Sequence, residues 1–478
     1  MEEDLLTKFL KLMSTDITDD DLELIKLGHS LGLDLVSFAE LRASQEDKFS
    51  DEIRNKALEK LETDKDNFLK RTDSFYAGSI DFMVSNEPQG RNFFLLETNG
   101  GSHRGLSILT KMQQTLLYDG YYEAIFQAVN KSTKKDNKVL VLIGVPVNDG
   151  LIHEKVIMIE YFRKKFKSRG FSVKIFNSDN YNKDFQAEIV FLIADYGNIF
   201  KSLAFSNNWI TYKGEEVSVL IGDGITRRFK NKDFTKLIET NIRKIKSIIV
   251  NPIFRITDDK SLTYLASFFC KNILKKYNLR YLVFTKAYTE EELSDKIKYL
   301  IKKYQKPFII KPSGGSGGAG VMPVSKDEDH RGIQNIITES KKEFFAKFKK
   351  NREPYPYTIQ EMADFTIIKW KEGYHTFDIR LYLAQRDGIV IPIGGLARIA
   401  RGEYHGTLDK QEFVVNLSGF NGQIEVERGL GFSKRNSDIL NLSLDDFVNM
   451  SCIGCTLFTY ISNNYYKIMN FTNWDKIL

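Results

Sequence analysis

The stretch Phe308-Ile-Ile-Lys-Pro-Ser-Gly-Gly-Ser-Gly-Gly-Ala-Gly-Val321 constrains this chain more than any other. Apolar Phe308, Ile309 and Ile310 predict a buried strand that delivers Lys311-Pro312 into a loop. Five glycines (Gly314, Gly315, Gly317, Gly318 and Gly320) then fall within seven residues. Glycine reaches positive φ at little cost and lets backbone N–H groups come close to a ligand. Bare amides beside a lysine are what a polyphosphate needs, so Lys311, Ser313, Gly314, Gly315, Ser316, Gly317 and Gly318 form a candidate phosphate cradle. No Gly-Lys-Ser/Thr closes the loop, which excludes a Walker A motif, and the lysine precedes the glycines, which excludes a dinucleotide fingerprint. A flexible hairpin without a ligand is the plain alternative.

Charge balance narrows the ligand class. The chain carries 69 basic and 63 acidic residues, a net charge of +6, which favours anionic ligands such as nucleotides without demanding nucleic acid. The most basic runs, Lys341-Lys342 and Lys347 to Lys350, carry Phe344, Phe345 and Phe348 at helical spacing and read as an amphipathic helix before they read as an RNA site. Hydrophobic content of 42% and charged content of 28% are those of a soluble globular protein, and 478 residues predict roughly two to four domains. Three cysteines cannot build a disulfide framework, which points to a reducing, cytoplasmic compartment. Cys452-Ile-Gly-Cys455 lacks a second pair or nearby histidines, so metal or redox use is disfavoured. The acidic N-terminus does not read as a signal peptide, and no window approaches about 18 uninterrupted apolar residues, so no membrane association is expected.

Periodicity divides the chain into an N-terminal helical segment (1–72), a hairpin and helix (73–137), a small parallel α/β region (138–250), a lobe with the glycine-rich loop (251–357) and a last lobe with a helical tail (358–478). The parallel region rests on strands at Lys138 to Gly144, Phe171 to Phe176 and Ala187 to Ile193, with a helix from Glu154 to Arg169. The turn after its first strand lacks dinucleotide glycine spacing, so it reads as a substrate or partner face.

Several polar residues interrupt these apolar strands. Asp81 lies on the first hairpin strand and Glu97-Thr98-Asn99 at the end of the second; Glu97 and Asn99 share a face. Two carboxylates and an amide oxygen make a hard oxygen set that suits Mg²⁺, against the alternative of a strand end and turn. Asp259-Lys260 opens a helix, and Lys260 is placed to reach phosphate unless it simply faces solvent. Gln360-Glu361-Met362 interrupts a strand where an adenine edge and ribose would satisfy them; the competing explanation pairs Glu361 with a lysine. Asp378 and Arg380 share a strand face, either as a structural pair or as a fork for phosphoryl oxygens together with Arg398, and Asn416 is placed to close the same pocket. Six scattered histidines show no metal spacing, and no hydrolytic triad is visible.

As a set these residues resemble the ATP-grasp superfamily: Lys311-Pro312 with the glycine loop, Asp259-Lys260, and Gln360-Glu361. The metal-ligand match, Asp81 with Glu97-Thr-Asn99, precedes the glycine loop, an order that resembles the circularly permuted members such as glutathionylspermidine synthase. The resemblance implies an α+β fold, a permuted ATP-grasp domain with an inserted parallel α/β unit like a pre-ATP-grasp domain. It implies an ADP-forming ligase that uses ATP and Mg²⁺ to join a small carboxylate to an amine through an acyl-phosphate. Asp81, Glu97 and Asn99 would hold the metal; Lys260, Lys311 and the loop amides the phosphates; Gln360, Glu361 and Met362 the base. Arg398 and Arg380 would be catalytic, with Arg227, Arg228, Asp378 and Asn416 near the substrate. A homo-oligomer is compatible with this reading. Two rivals remain open, a catalytically inactive ATP-binding sensor or scaffold and a small-molecule phosphotransferase.

Overall fold

Alternating side chains build the centre of the molecule, as the change of period after Ser79 requires. The structure, a computed structural model, describes residues 3–63, 71–72, 75–87, 90–100, 105–131, 138–178, 180–181, 187–222, 225, 229, 234–313, 315, 317–349, 352–413, 415–417, 425–474 and 477. It is a mixed α+β protein with several sheets. The expected hairpin forms from Ala77–Glu87 and Gly90–Asn99, antiparallel; of its turn residues, 88 and 89 lie outside the described set. The hairpin is the middle of a seven-stranded sheet: Leu279–Arg280, Gly90–Asn99, Ala77–Glu87, Gly373–Arg386, Ile389–Ile399 and Gly429–Gly431 in order, with Ile367–Trp370 paired to Gly373–Arg386.

The two faces of this sheet differ in chemistry. Ile80, Phe82, Ile379, Leu381, Ala397 and Ile399 point into a core closed by the helices Asp47–Thr63, Lys260–Phe269 and Leu444–Asn463. The last helix starts with a capping box, in which Ser443 Oγ accepts from Asp446 N at 3.2 Å and Asp446 Oδ2 accepts from Ser443 N at 2.7 Å. Cys452 and Cys455 are buried on it, and burial raises the Cys455 thiol well above its ordinary pKa, so this CxxC behaves as core. On the opposite face, Tyr382, Ala384, Ile393 and Leu396 pack towards the helix Lys111–Lys131, while Asp81, Asp378, Arg380 and Arg398 occupy the remainder.

The parallel sheet over 138–250 has five strands: Ile248–Ile249, Val219–Gly222, Val139–Val145, Ile189–Asp195 and Val173–Asn177, in that order. A three-stranded meander, Leu203–Ser206, Trp209–Tyr212 and Glu215–Glu216, was not expected there. Its first turn is Asn207-Asn208 with φ of 51° and 65°, the left-handed pair that a two-residue hairpin needs. Asn251 follows the last parallel strand with φ 59°; its side chain accepts from Tyr76 N (2.8 Å) and Ala77 N (3.1 Å) and donates to Ala77 O (2.6 Å). That Asn-Pro step therefore pins the exit of the parallel unit to the start of the hairpin.

A four-stranded antiparallel sheet, Phe284–Ala287, Tyr357–Glu361, Phe308–Pro312 and Met322–Val324, carries the glycine-rich loop. Phe308, Ile310, Tyr357 and Ile359 pack under the helices Glu290–Tyr304 and His330–Phe348. By alternation Lys311, Thr358 and Gln360 point the other way. Of the basic run expected to be helical, 341–348 is the end of His330–Phe348, with Phe344 beside the glycine loop; Lys349 caps the helix and Lys350 lies outside the described residues.

One glycine of the central sheet tests this packing. A Cβ on Gly395 would lie 2.2 Å from Arg380 O and 2.6 Å from the Phe432 ring. Gly395→Ala is expected to destabilise the chain by roughly 2 kcal/mol, measured by urea unfolding, because the clash is with strand backbone that cannot yield cheaply.

Candidate functional site

Strand register brings the hairpin acids to the later arginines. Glu97, Asp81 and Arg380 stand directly opposite one another across three neighbouring strands, and Asp378 faces Arg398 one row away. Arg380 donates to Asp81 through Nε (2.8 Å to Oδ1) and Nη2 (2.6 Å to Oδ2). Arg398 Nη2 donates to the same Oδ2 at 2.8 Å, and its Nε to Asp378 Oδ1 at 2.8 Å. Both carboxylates are 1% exposed. Burial alone would raise Asp81, but Arg380 and Arg398 outweigh it and hold the carboxyl far below the usual range. Burial pushes Asp378 up to about 6 against the pull of Arg398. Asp378 is thus a buried partner of Arg398, the structural pairing that the sequence left open for it.

Lys260 enters from a helix whose N-cap is Asp259, which accepts from Ser261 N at 3.0 Å and Leu262 N at 3.3 Å. Asp259 is itself held by Lys286, 2.7 Å away, a partner that sequence reasoning missed. Lys260 Nζ then sits 3.3 Å from Glu97 Oε2, and Arg380 Nη2 lies 3.7 Å from Glu97 Oε1. Thr98 Oγ1 meets Thr263 Oγ1 at 2.7 Å, fixing the acid-bearing strand to this helix.

Lys311 arrives from the second sheet. Its Nζ donates to Gln360 Oε1 (2.5 Å), Tyr264 Oη (2.9 Å) and Leu96 O (3.4 Å), the residue before Glu97. Burial lowers the lysine to about 7, with Lys260 pushing the same way. Gln360 thus turns its side chain to Lys311, and its Nε2 to Leu95 O at 3.3 Å, not outward to a base. Glu361 pairs with Lys306 and accepts from Val283 N, which is the competing explanation given for it above. The Glu361 and Met362 amides donate to Val283 O and Pro307 O, so neither N–H is left for an adenine edge. Strand pairing on both sides of this segment is the cause.

The glycine loop packs against the helix His330–Phe348. Ser313 N donates to Pro356 O at 3.1 Å, and Gly317, Gly318 and Gly320 adopt φ of 61°, 73° and 73°, which only glycine takes without strain. Gly320 N donates to Glu343 Oε2 at 3.2 Å. A Cβ on Gly317 would lie 2.6 Å from Lys347 Nζ and 3.3 Å from Asn416 Nδ2, so Asn416 stands against the loop. Gly314, Ser316, Arg227 and Arg228 lie outside the described residues.

Cations of the protein already crowd this oxygen set, with Arg380 and Arg398 on Asp81 and Lys260 and Arg380 beside Glu97. Glu97 and Asn99 share a face with Asp81, and Asn99 Nδ2 is buried without a hydrogen-bond partner, a donor that an acceptor oxygen of a ligand would satisfy. Asp81 has three of its four lone-pair sites engaged by guanidinium N–H groups. Among the described residues no group of three His, Cys, Asp or Glu side chains forms a metal cluster, so an ion here would draw on Asn99 and on ligand oxygens. A concavity of about 500 Å³ lined by Arg71, Glu123, Arg243 and Asp387 shares no residue with this cluster. No helix among the described residues is long and apolar enough to cross a membrane.

No protein-family model matches the chain, and no curated protein does. Among solved structures, it aligns with a glutathione synthetase like-effector from Globodera pallida at 13% identity and TM-score 0.37, covering 76% of this chain and 82% of that one. It aligns with D-alanyl-alanine synthetase A from Vibrio cholerae O1 biovar eltor at 9% identity and TM-score 0.33, covering 70% and 82%. D-Alanine-D-Alanine ligase from Helicobacter pylori aligns at 12% identity and TM-score 0.23, covering 66% and 98%. At these scores the likeness carries no argument about this chain.

Proposed function

We propose that this chain is an ATP- and Mg²⁺-dependent, ADP-forming ligase of the permuted ATP-grasp kind, joining a small carboxylate to an amine. One observation carries the reading: among the described residues Lys260, Lys311, Arg380 and Arg398 gather about the carboxylates of Asp81, Glu97 and Asp378. The positive charge suits a polyphosphate, and the origin of the cations in two sheets and the helix Lys260–Phe269 suits one gripped from several sides. Lys260 and Lys311 hold the phosphate chain; the loop amides cover it and exclude water. Asp81, Glu97 and Asn99 would hold Mg²⁺, which neutralises phosphate charge when bound. Arg398 and Arg380 stabilise negative charge on the transferred phosphoryl group. The carboxylate takes the γ-phosphoryl group, and the amine then displaces phosphate to leave an amide.

A second reading has its own support. Three guanidinium hydrogen bonds on Asp81 leave it little room for a metal, which favours a nucleotide-binding sensor without turnover. ADP and phosphate release from Mg-ATP against a panel of amino acids and polyamines, with mass spectrometry on each mixture, separates the two. The ligase yields release that needs both partners and a product lighter than their sum by one water. Nucleotide binding without release in any mixture supports the sensor; a stable phosphorylated compound without amide supports a phosphotransferase. Lys311→Ala is expected to raise the KM for ATP at least about tenfold, since a buried charge-assisted contact is lost. An unchanged KM removes Lys311 from the phosphate site.

A further inference from the structure

We propose that Tyr264 is a positioning residue that sets where the Lys311 ammonium sits and thereby the grip on the nucleotide phosphates, a role that rests on the nucleotide reading above. Tyr264 lies four residues after Lys260 on one helix, so the two share a helical face. It is 3% exposed, and its hydroxyl meets Lys311 Nζ at 2.9 Å, Gln360 Oε1 at 2.7 Å and the Leu96 carbonyl. Four separate parts of the chain meet at this one oxygen: the Lys260 helix, the strand of Lys311, the strand of Gln360 and the strand carrying Glu97.

Geometry argues that the hydroxyl does more than fill the core. A lysine head sits on four rotatable bonds and takes its position from its contacts. Lys311 has three ammonium protons and three acceptors here, Tyr264 Oη, Gln360 Oε1 and Leu96 O. A hydroxyl has two lone pairs and one proton, so Tyr264 can accept from Lys311 while donating to Leu96 O. An arriving phosphate oxygen then replaces the Gln360 oxygen without releasing the tyrosine. Because Leu96 precedes Glu97, the same contact sets the spacing between the lysine and the carboxylate strand. Burial lowers Lys311 to about 7, and a polyanion held at that spacing favours its charged form. The aromatic ring packs on Phe284, centroids 5.6 Å apart, which a phenylalanine at 264 preserves.

The test compares wild type with Tyr264→Phe as full chains, measuring Mg-ATP and adenosine binding by calorimetry and the acetylation rate of Lys311 by mass spectrometry. A positioning role gives an ATP affinity lowered about tenfold, adenosine affinity unchanged, and faster acetylation of Lys311 with weaker protection by ATP. ATP affinity equal to wild type overturns the role while leaving the nucleotide reading intact. Equal losses for ATP and adenosine also overturn it, since a general structural defect then explains the change. If the wild type itself binds no Mg-ATP, the nucleotide reading fails and this role fails with it. Should Tyr264→Phe not fold, Gln360→Met, which removes the other side-chain acceptor, must loosen Lys311 in the same labelling assay; unchanged labelling there overturns the network.

Discussion

Arg398→Ala is expected to abolish ADP release and also to cost the fold roughly 3–5 kcal/mol. The second effect follows from the surroundings. Arg398 is the guanidinium that faces Asp378, which is 1% exposed and already pushed up to about 6 by burial. Removing the arginine leaves a carboxylate in the sheet interior with its charge uncompensated, and that penalty exceeds the worth of the intact pair. Asp81 suffers less, because the two-pronged contact from Arg380 remains. A loss of activity in this variant would therefore be ambiguous. The double variant Arg398→Met with Asp378→Leu resolves it by replacing the buried pair with apolar side chains of similar bulk. Urea unfolding is expected to return to within about 1 kcal/mol of wild type, while ADP release stays at least about a thousandfold down. Recovery of turnover together with stability would falsify any direct role of Arg398 in the chemistry. A single variant as stable as wild type would show instead that Asp378 is not charged in the folded protein.

The parts of this arrangement that sequence made legible are local. Asp81, Glu97 and Asn99 could be set on one face because a two-strand hairpin and a period of two fix it. Asp259-Lys260 read as a helix start because an N-cap aspartate is a local signal, and the structure uses it as one. What stayed hidden is non-local. Nothing in the spacing of residues says that Asp81 will pair with Arg380, since register between strands so far apart in the chain depends on the whole sheet. The same holds for Lys286 on Asp259, Lys306 on Glu361 and Tyr264 on Lys311. A polar Gln360 in a strand needs partners, as its sequence context says, and the structure supplies them from Lys311, Tyr264 and the Leu95 carbonyl, none of them near in the chain. Short strands such as Val219–Gly222 and Ile248–Ile249 escaped notice because four and two residues carry too little pattern. The meander turn at Asn207-Asn208 was visible in principle as a left-handed pair between apolar runs.

Glu97→Gln separates the metal assignment from stability with a single atom change. The Glu97 side chain is 30% exposed, and its ion pair to Lys260 is 3.3 Å long, so the pair contributes no more than about 1 kcal/mol. Glutamine keeps the shape and the strand position, and the thermal unfolding midpoint is expected to stay within a few degrees of wild type. Turnover should behave differently. A carboxylate that helps to hold Mg²⁺ is worth several kcal/mol of charge stabilisation, so ADP release is expected to fall by roughly a hundredfold or more. The Mg²⁺ concentration needed for half-maximal nucleotide binding should rise in parallel, which calorimetry reads without any turnover. Those two changes together identify Glu97 as a metal ligand, because losing the partner of Lys260 alone would free that lysine for phosphate and strengthen nucleotide binding. An unchanged Mg²⁺ requirement with tighter ATP would assign Glu97 to Lys260 instead, leaving Asp81 and Asn99 to carry the metal.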